Sequence, residues 1–153
     1  MPTDLITLSS SDIIAIISAL IAALSAIYAR WASVEAKRAN EISLLGHRKV
    51  IFDAFFELKI HMDQRGTCPD IKHVSKFYYP SRDAAVYFEK ELSKKVSSYY
   101  SKCFKAADLA RLGNALDPSE HEEIKNLCKS AALMAGELED LMSSVIKRCA
   151  TNG

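Results

Sequence analysis

The sequence predicts an all-α protein in which a single N-terminal transmembrane helix continues into a cytoplasmic antiparallel helical bundle. Three observations support this fold class. Residues 13–29 carry no charged side chain, apolar residues recur at helical spacing through most of the remaining chain, and the 153 residues include only five glycines and four prolines. No stretch alternates apolar and polar residues over a useful length, so we expect no strands.

The charge balance disfavours two classes of protein. Lys and Arg total 20 and Asp and Glu total 19, which gives a formal net charge of +1. Such a chain has neither the basic excess of many nucleic-acid-binding domains nor the acidic excess of a solvating tail. Its length allows one domain rather than two.

The first predicted element is a transmembrane helix over residues 11–31. Eight Ile or Leu residues lie within it, and they favour insertion by about 4 kcal/mol at about 0.5 kcal/mol each. The segment is about long enough to cross a hydrocarbon core of ~30 Å. Tyr28 and Trp31 lie where interfacial aromatic rings are preferred. A buried core helix is the alternative, but such helices rarely lack charge on every face.

The distribution of positive charge predicts the orientation of this helix. Residues 1–10, a short extracytoplasmic tail, carry Asp4 and no basic residue, whereas a cleaved signal peptide starts with positive charge. Basic residues follow the span instead, so we expect the N-terminus outside and the bundle in the cytoplasm. The expected cytoplasmic anchor comprises Arg30, Trp31, Lys37 and Arg38.

One face of the predicted span consists of small residues at the alternating four- and three-residue spacing of a heptad seam. This seam comprises Ser11, Ala15, Ser18, Ala22, Ser25, Ala29 and Ala32. Small residues let helix backbones approach closely, which drives association in lipid. We therefore expect a homo-oligomer that forms through the seam. The general abundance of Ala and Ser in membrane helices is the alternative explanation.

The cytoplasmic part is expected to begin with a juxtamembrane helix over residues 32–66. A connector over 67–81 follows, in which Pro80 is expected to stop a short aromatic segment and Ser81 to cap the next helix. An antiparallel helical hairpin over 82–149 and a tail over 150–153 complete the chain. The apolar face of the juxtamembrane helix includes Ile51, Phe55, Leu58 and Met62.

The hairpin has the clearest local signals in the chain. Asp117, Pro118 and Glu120 stand at the cap, first and third positions of a predicted helix, which is the pattern of a capping box. Each of the two helices also has a line of apolar residues at helical spacing. On the first they are Ala85, Phe88, Leu92, Val96, Tyr99, Cys103, Ala106 and Ala110, and on the second Ile124, Cys128, Ala131, Ala135, Leu138, Met142, Val145 and Cys149.

Groups that could carry chemistry are few. Cys103, Cys128 and Cys149 lie on the apolar lines and are expected to be core residues, because a buried cysteine behaves as a small apolar residue. Disulfides are not expected, since cytoplasmic thiols stay reduced. His61, Cys68 and His73 bracket a loop, but their spacing matches no common zinc pattern. Motifs for nucleophilic catalysis and phosphate binding are not found. We therefore expect no enzymatic activity, no cofactor and no metal.

Lysines and aromatic residues are concentrated in the first hairpin helix, a composition that suits single-stranded nucleic acid or anionic lipid headgroups. Direct nucleic-acid binding is not favoured, because residues 71–112 carry nine basic and four acidic residues while 113–153 carry four basic and seven acidic. The two helices can therefore pair their charges within the chain. The candidate basic partner face comprises Lys94, Lys95, Lys102 and Lys105. The partners considered are the lipid bilayer, a second copy of the chain and a cytoplasmic protein or ribonucleoprotein.

Four segments resemble small single-pass membrane proteins of bacteria, most of which are uncharacterised. The segments are SDIIAIISALIAALSAIYARW, AKRANEI, HRKVIFDAFFELK and FYYPSRDAAVYFEKEL, which together contain 57 of the 153 residues. The shared features are the anchor, the juxtamembrane helix, and an aromatic pair followed by a turn and a helix. The resemblance implies a location in the bacterial inner membrane.

Some proteins of this kind lie beside phage-defence genes, among them the transmembrane accessory proteins of retron reverse transcriptases. The resemblance implies an abortive-infection or toxin-like effector that damages the inner membrane when its inhibitor is disturbed. Those accessory proteins generally have two membrane spans, whereas this chain shows one. The alternative is a non-enzymatic membrane tether or adaptor whose bundle docks a cytoplasmic partner.

Overall fold

The computed structural model describes residues 9–65, 68–113 and 117–152. Within these residues every regular element is helical, which confirms the all-α prediction for this part of the chain. The helices are α1 (Ser10–Arg65), α2 (Ile71–Lys76), α3 (Tyr78–Tyr87), α4 (Lys90–Ala110) and α5 (Pro118–Asn152). The chain divides into two compact units, Met1–Asn40 and Glu41–Gly153.

The first unit contains the N-terminal part of α1. The backbone N–H of Ser9 donates to Asp12 Oδ2 at 3.0 Å, which fixes the start of the helix. All described side chains from 9 to 40 are exposed in the single chain. Among the described residues, α1 is the one helix that is long and apolar enough to cross a membrane by its length and composition. Most of the predicted tail over 1–10 lies outside the described residues.

The second unit has a hydrophobic core of its own, to which the C-terminal part of α1 and the helices α2 to α5 contribute. The apolar face predicted for this part of α1 is confirmed, since Ile51, Phe55, Leu58 and Met62 are all buried. At its centre the ring of Phe55 meets that of Tyr99 edge-on, with centroids 5.3 Å apart. The same tyrosine ring meets Phe77 at 6.1 Å. Three segments of the chain therefore converge on one aromatic cluster.

The sulfur atom of Met62 accepts hydrogen bonds from two polar groups of this core. Tyr99 Oη donates to Met62 Sδ at 3.5 Å, and Cys103 Sγ donates to the same atom at 3.7 Å. Burial raises the pKa of the Tyr99 phenol well above its usual value and that of Cys103 to about 12. Both groups therefore stay neutral hydrogen-bond donors at any physiological pH.

The predicted connector over 67–81 is helical for most of its described length. Asp70 accepts a hydrogen bond from the backbone N–H of Lys72 and caps α2, and α3 begins at Tyr78. Pro80 does not stop the helix, because it lies in the first turn, where backbone N–H groups have no intrahelical acceptor. Ser81 is not a cap either: it is buried inside α3, and its hydroxyl donates to the carbonyl of Tyr78 at 2.7 Å.

The first helix of the predicted hairpin, expected to begin at residue 82, is interrupted. Phe88 and Glu89 adopt extended backbone conformations between α3 and α4. This break changes the helical register, so Ala84 is buried where Ala85 was predicted to be. Beyond the break the predicted apolar line is confirmed from Leu92 to Ala106, whereas Ala110 at its end is exposed.

The helix after residue 117 begins as predicted. Pro118 is its first residue, and Glu120 Oε2 accepts a hydrogen bond from the backbone N–H of Asp117 at 2.9 Å, which is the reciprocal half of a capping box. Gly113 has a φ of 57°, a left-handed conformation that suits glycine after a helix. The predicted tail over 150–153 is wrong in part, because α5 continues to Asn152.

We predict that Phe55→Ala destabilises the second unit by about 3–5 kcal/mol, because the substitution opens a cavity beneath Tyr99 and Phe77. Urea denaturation of the full chain in mild detergent, followed by near-UV circular dichroism, measures the change. Leu133→Ala is the control, since Leu133 is 72% exposed. Equal midpoints for the two variants would show that the aromatic cluster is not the main source of stability.

Candidate functional site: the apolar segment and the polar contacts of the second unit

The small-residue seam lies on a continuous stretch of α1. All seven positions from Ser11 to Ala32 are helical and exposed in the single chain. The hydroxyl of Ser25 donates to the carbonyl of Ile21 at 2.8 Å, so this polar group is satisfied within its own helix. Such internal satisfaction is what a hydroxyl requires in an apolar environment. The seam thus offers a smooth face of small side chains.

The larger apolar side chains of the same segment occupy the other faces of the helix. Eight Ile and Leu side chains between residues 13 and 27 are 48–66% exposed. They are Ile13, Ile14, Ile16, Ile17, Leu20, Ile21, Leu24 and Ile27. Exposed apolar surface on this scale is unfavourable in water and marks a surface that lipid or protein covers.

The predicted membrane anchor follows this segment. Arg30, Lys37 and Arg38 are exposed and form no ion pair with any described residue, and the ring of Trp31 is 72% exposed. Three cations and an indole at one end of an apolar helix suit an interface between hydrocarbon and lipid headgroups. Their role as an anchor stays a prediction.

Three of the four lysines on the predicted basic partner face contact α5. The lysine nearest the start of α4 contacts the acceptor nearest the end of α5, and the lysine nearest the end of α4 contacts the acceptor nearest the start of α5. The order of the contacts is therefore opposite along the two helices. The pairs are Lys95 with Glu137, Lys102 with Ser130 at 2.7 Å, and Lys105 with Glu123 at 2.5 Å. These contacts use the lysines within the chain, as the opposite net charges of the two helices suggested.

The fourth lysine lies on a different side of α4. Lys94 pairs with Glu91 of its own helix at 3.3 Å and lines an open groove of about 510 Å³ between α3 and α4. Arg82 lines the same groove, and its guanidinium donates to Tyr78 Oη at 3.0 Å. A role for any of the four lysines towards a partner stays a prediction.

Two ion pairs connect α1 with its neighbours. Lys59 Nζ donates to Glu139 Oε2 of α5 at 2.7 Å, and this hydrogen bond raises the pKa of the lysine. Lys76 of α2 donates to Glu57 at 2.8 Å and lowers the pKa of that carboxyl. The first pair is partly buried, so it is the better ordered of the two and less screened by solvent.

The two loop histidines form a stacked pair, which the sequence did not indicate. The rings of His61 and His73 are 3.6 Å apart and nearly parallel. His61 Nε2 accepts a hydrogen bond from the backbone N–H of Asp70 at 3.4 Å. Burial lowers the pKa of His61, and the neighbouring charges of His73 and Arg65 lower it further. The described residues contain no group of three His, Cys, Asp or Glu side chains that could hold a metal ion.

Arg48 is a further polar contact that sequence reasoning missed. Its Nε donates to the carbonyl of Tyr87 at 2.7 Å, its Nη1 to Cys149 Sγ at 2.7 Å, and its guanidinium lies 5.8 Å from the centre of the Phe88 ring. It satisfies a carbonyl at the C-terminal end of α3. Cys149, predicted to be a core residue, is only half-buried, because it lies at the edge where this arginine approaches.

The remaining cysteine, Cys68, lies in the loop between α1 and α2. It is half-buried, and its Sγ is 3.1 Å from Cys128 Sγ. Cys128 and Cys103 are buried, as predicted. No signal in the sequence beyond the residue type itself pairs Cys68 with Cys128, since 60 positions separate them.

Comparisons with protein-family models, with curated proteins and with solved structures found no match for the chain.

We predict that the second unit loses stability as the pH falls through about 6.5, the ordinary pKa of histidine. The folded state lowers the pKa of His61, so the unfolded chain takes up the proton more readily and gains from acidification. The carboxylates of Glu57 and Asp70, whose pKa values are also lowered, stay ionised in this range.

The measurement is the urea midpoint of the full chain in detergent at about pH 7.5 and about pH 5.5. His61→Gln should reduce the difference between the two midpoints. His121→Gln is the control, since His121 is exposed. An unchanged pH difference in His61→Gln would contradict the assignment.

Proposed function

We propose that the protein is a membrane-anchored effector of a bacterial phage-defence system, of the abortive-infection or toxin-like kind. In this proposal residues 11–31 of α1 span the inner membrane with the N-terminus outside, several copies associate along the small-residue seam, and the assembly perturbs the bilayer. The observation that carries the proposal is the uncovered apolar segment of α1 with its continuous face of small residues.

The chemistry of the segment supports association rather than anchoring alone. An anchor needs only apolar side chains, and any arrangement of them around the helix suffices. Here every position of one heptad line is a small residue, and all eight Ile and Leu residues lie off that line, together with Ala19, Ala23 and Ala26. In lipid, helices associate through close van der Waals packing, which small side chains permit. The heptad period favours a left-handed crossing.

The second unit fits the role of a regulatory part. We infer that it is an antiparallel helical bundle in the cytoplasm. The opposite order of the lysine contacts along α4 and α5 supports the antiparallel arrangement. Its described titratable side chains stabilise the fold through ion pairs and hydrogen bonds. No arrangement of a nucleophile with an activating base stands out among them.

The assignment to phage defence rests on the resemblance of four segments to bacterial membrane proteins, some of which accompany retrons. Such an effector acts by perturbing the membrane, and membrane perturbation requires no active site. The expected trigger is a change in a cytoplasmic partner, a protein or a ribonucleoprotein, that docks on the bundle.

A non-enzymatic tether or adaptor is the second candidate function. It is favoured by the exposed apolar side chains of the second unit, among which Val86 and Tyr79 are 76% and 74% exposed. Such residues are available to a partner that docks on the bundle. A tether would require membrane insertion but not association through the seam.

The experiment expresses the chain in bacteria and measures membrane potential and colony survival. We expect the wild type to depolarise cells and Ala22→Ile to abolish this effect, because isoleucine separates the packed backbones while keeping the helix hydrophobic. Ala23→Ile is the matched control: it adds the same bulk at the same depth but lies off the seam. A reporter of helix association in membranes should give the same ranking.

The outcomes distinguish the two functions. Depolarisation by the wild type and Ala23→Ile but not by Ala22→Ile supports the effector. Harmless expression of all three supports the tether over an unconditional toxin. If Ala22→Ile associates as strongly as the wild type, the seam is not the association surface.

A further inference from the structure

Two thiols from distant parts of the sequence are in contact in the second unit. Cys68, shortly before α2, and Cys128, in α5, place their sulfur atoms 3.1 Å apart. Both are free thiols. Cys68 packs against a small apolar cluster formed by Ala106, Ile124 and Cys128. The contact is thus part of the packing of the unit rather than an encounter of two exposed side chains.

We propose that Cys68 and Cys128 are an oxidative modification site and form a reversible intramolecular disulfide. A disulfide holds its sulfur atoms about 2.05 Å apart, so the pair needs to approach by only about 1 Å. The inference depends neither on membrane insertion nor on the proposed effector function.

The surroundings of the two thiols assign them different roles. Cys68 is half-buried and lines an open cavity of about 260 Å³, together with Arg65 and Arg111 among others. A small oxidant can therefore reach it from solvent. Cys128 is buried, and burial together with the neighbouring Cys68 raises its pKa to about 12. Cys68 is the thiol that meets the oxidant, and Cys128 is the one that resolves the product.

The oxidant class is a hydroperoxide, and the reaction balances with hydrogen peroxide. The thiolate of Cys68 attacks one peroxide oxygen and the O–O bond breaks, which leaves a sulfenic acid at Cys68. The other oxygen leaves as hydroxide and takes up the proton that the Cys68 thiol had released, so the product is water. Cys128 Sγ then attacks the Cys68 sulfur, and the hydroxyl group leaves as a second water with the Cys128 proton. The two thiols are oxidised by two electrons, and the peroxide is reduced.

The other two cysteines have contacts that keep them apart from this chemistry. Cys103 is fully buried and donates to Met62 Sδ. Cys149 Sγ accepts from Arg48. A disulfide formed by such a pair can be reduced by a dithiol, so the modification is reversible. The closed form would tie the segment before α2 to α5.

The experiment treats the full chain, purified in mild detergent, with hydrogen peroxide, blocks remaining thiols with N-ethylmaleimide and digests the protein with trypsin. Each cysteine falls in a separate tryptic peptide: 66–72 for Cys68, 103–105 for Cys103, 126–129 for Cys128 and 149–153 for Cys149. We expect mass spectrometry without reductant to find 66–72 linked to 126–129 as the main product, and dithiothreitol to remove the link. The linked form should also have a higher melting temperature.

Cys68→Ser should abolish the link and Cys149→Ser should leave it intact. Serine at position 68 replaces the thiol with a hydroxyl of similar size at a half-buried site, so the variant removes the redox chemistry with little change in volume. The proposal is overturned if peroxide leaves both peptides alkylated, if Cys68 instead becomes a sulfinic acid, or if non-reducing gels show that the link joins two chains.

Discussion

The contact of Tyr99 with Phe55 and Phe77 is the interaction on which the second unit depends. These rings bring together α4, α1 and the turn between α2 and α3, and all three are buried. Aromatic side chains bury large areas, and edge-to-face packing fixes their relative orientation. The peripheral contacts, such as those of Lys59 and Arg48, form between helices that this cluster has already brought together.

Several charged side chains of the second unit connect neighbouring helices. The lysines of α4 face acceptors on α5, and Lys59 faces Glu139 from α1. Exposed pairs of this kind contribute little to stability individually. Their value lies in register, because shifting α5 by one turn would move Glu137 and Glu123 away from Lys95 and Lys105. A surface that resembles a binding face in a linear sequence is thus used in part for the internal alignment of helices.

The reliability of sequence reasoning followed the range of the interactions. The helical class, the buried face from Ile51 to Met62 and the capping box at Glu120 depend on neighbours within a few residues, and they were predicted correctly. The prediction that Pro80 stops a helical segment was wrong, because proline is tolerated in the first turn of a helix and disrupts only a helix interior. The contacts of Arg48 and Cys68 join positions far apart in sequence, and no local pattern reports such contacts. The small-residue seam is a local pattern too, but association through it would involve a second chain and stays a prediction.

Met62 shows how a core position can be restricted by hydrogen bonding rather than by volume. Methionine and leucine are usually exchangeable in cores because their volumes are similar. Here the thioether accepts from two buried donors, Tyr99 Oη and Cys103 Sγ. Leucine would fill the space but leave both donors unsatisfied. Evolutionary drift at this site is therefore coupled: among descendants of this sequence, leucine at 62 should accompany phenylalanine at 99, and the paired exchange would be recognisable as covariation.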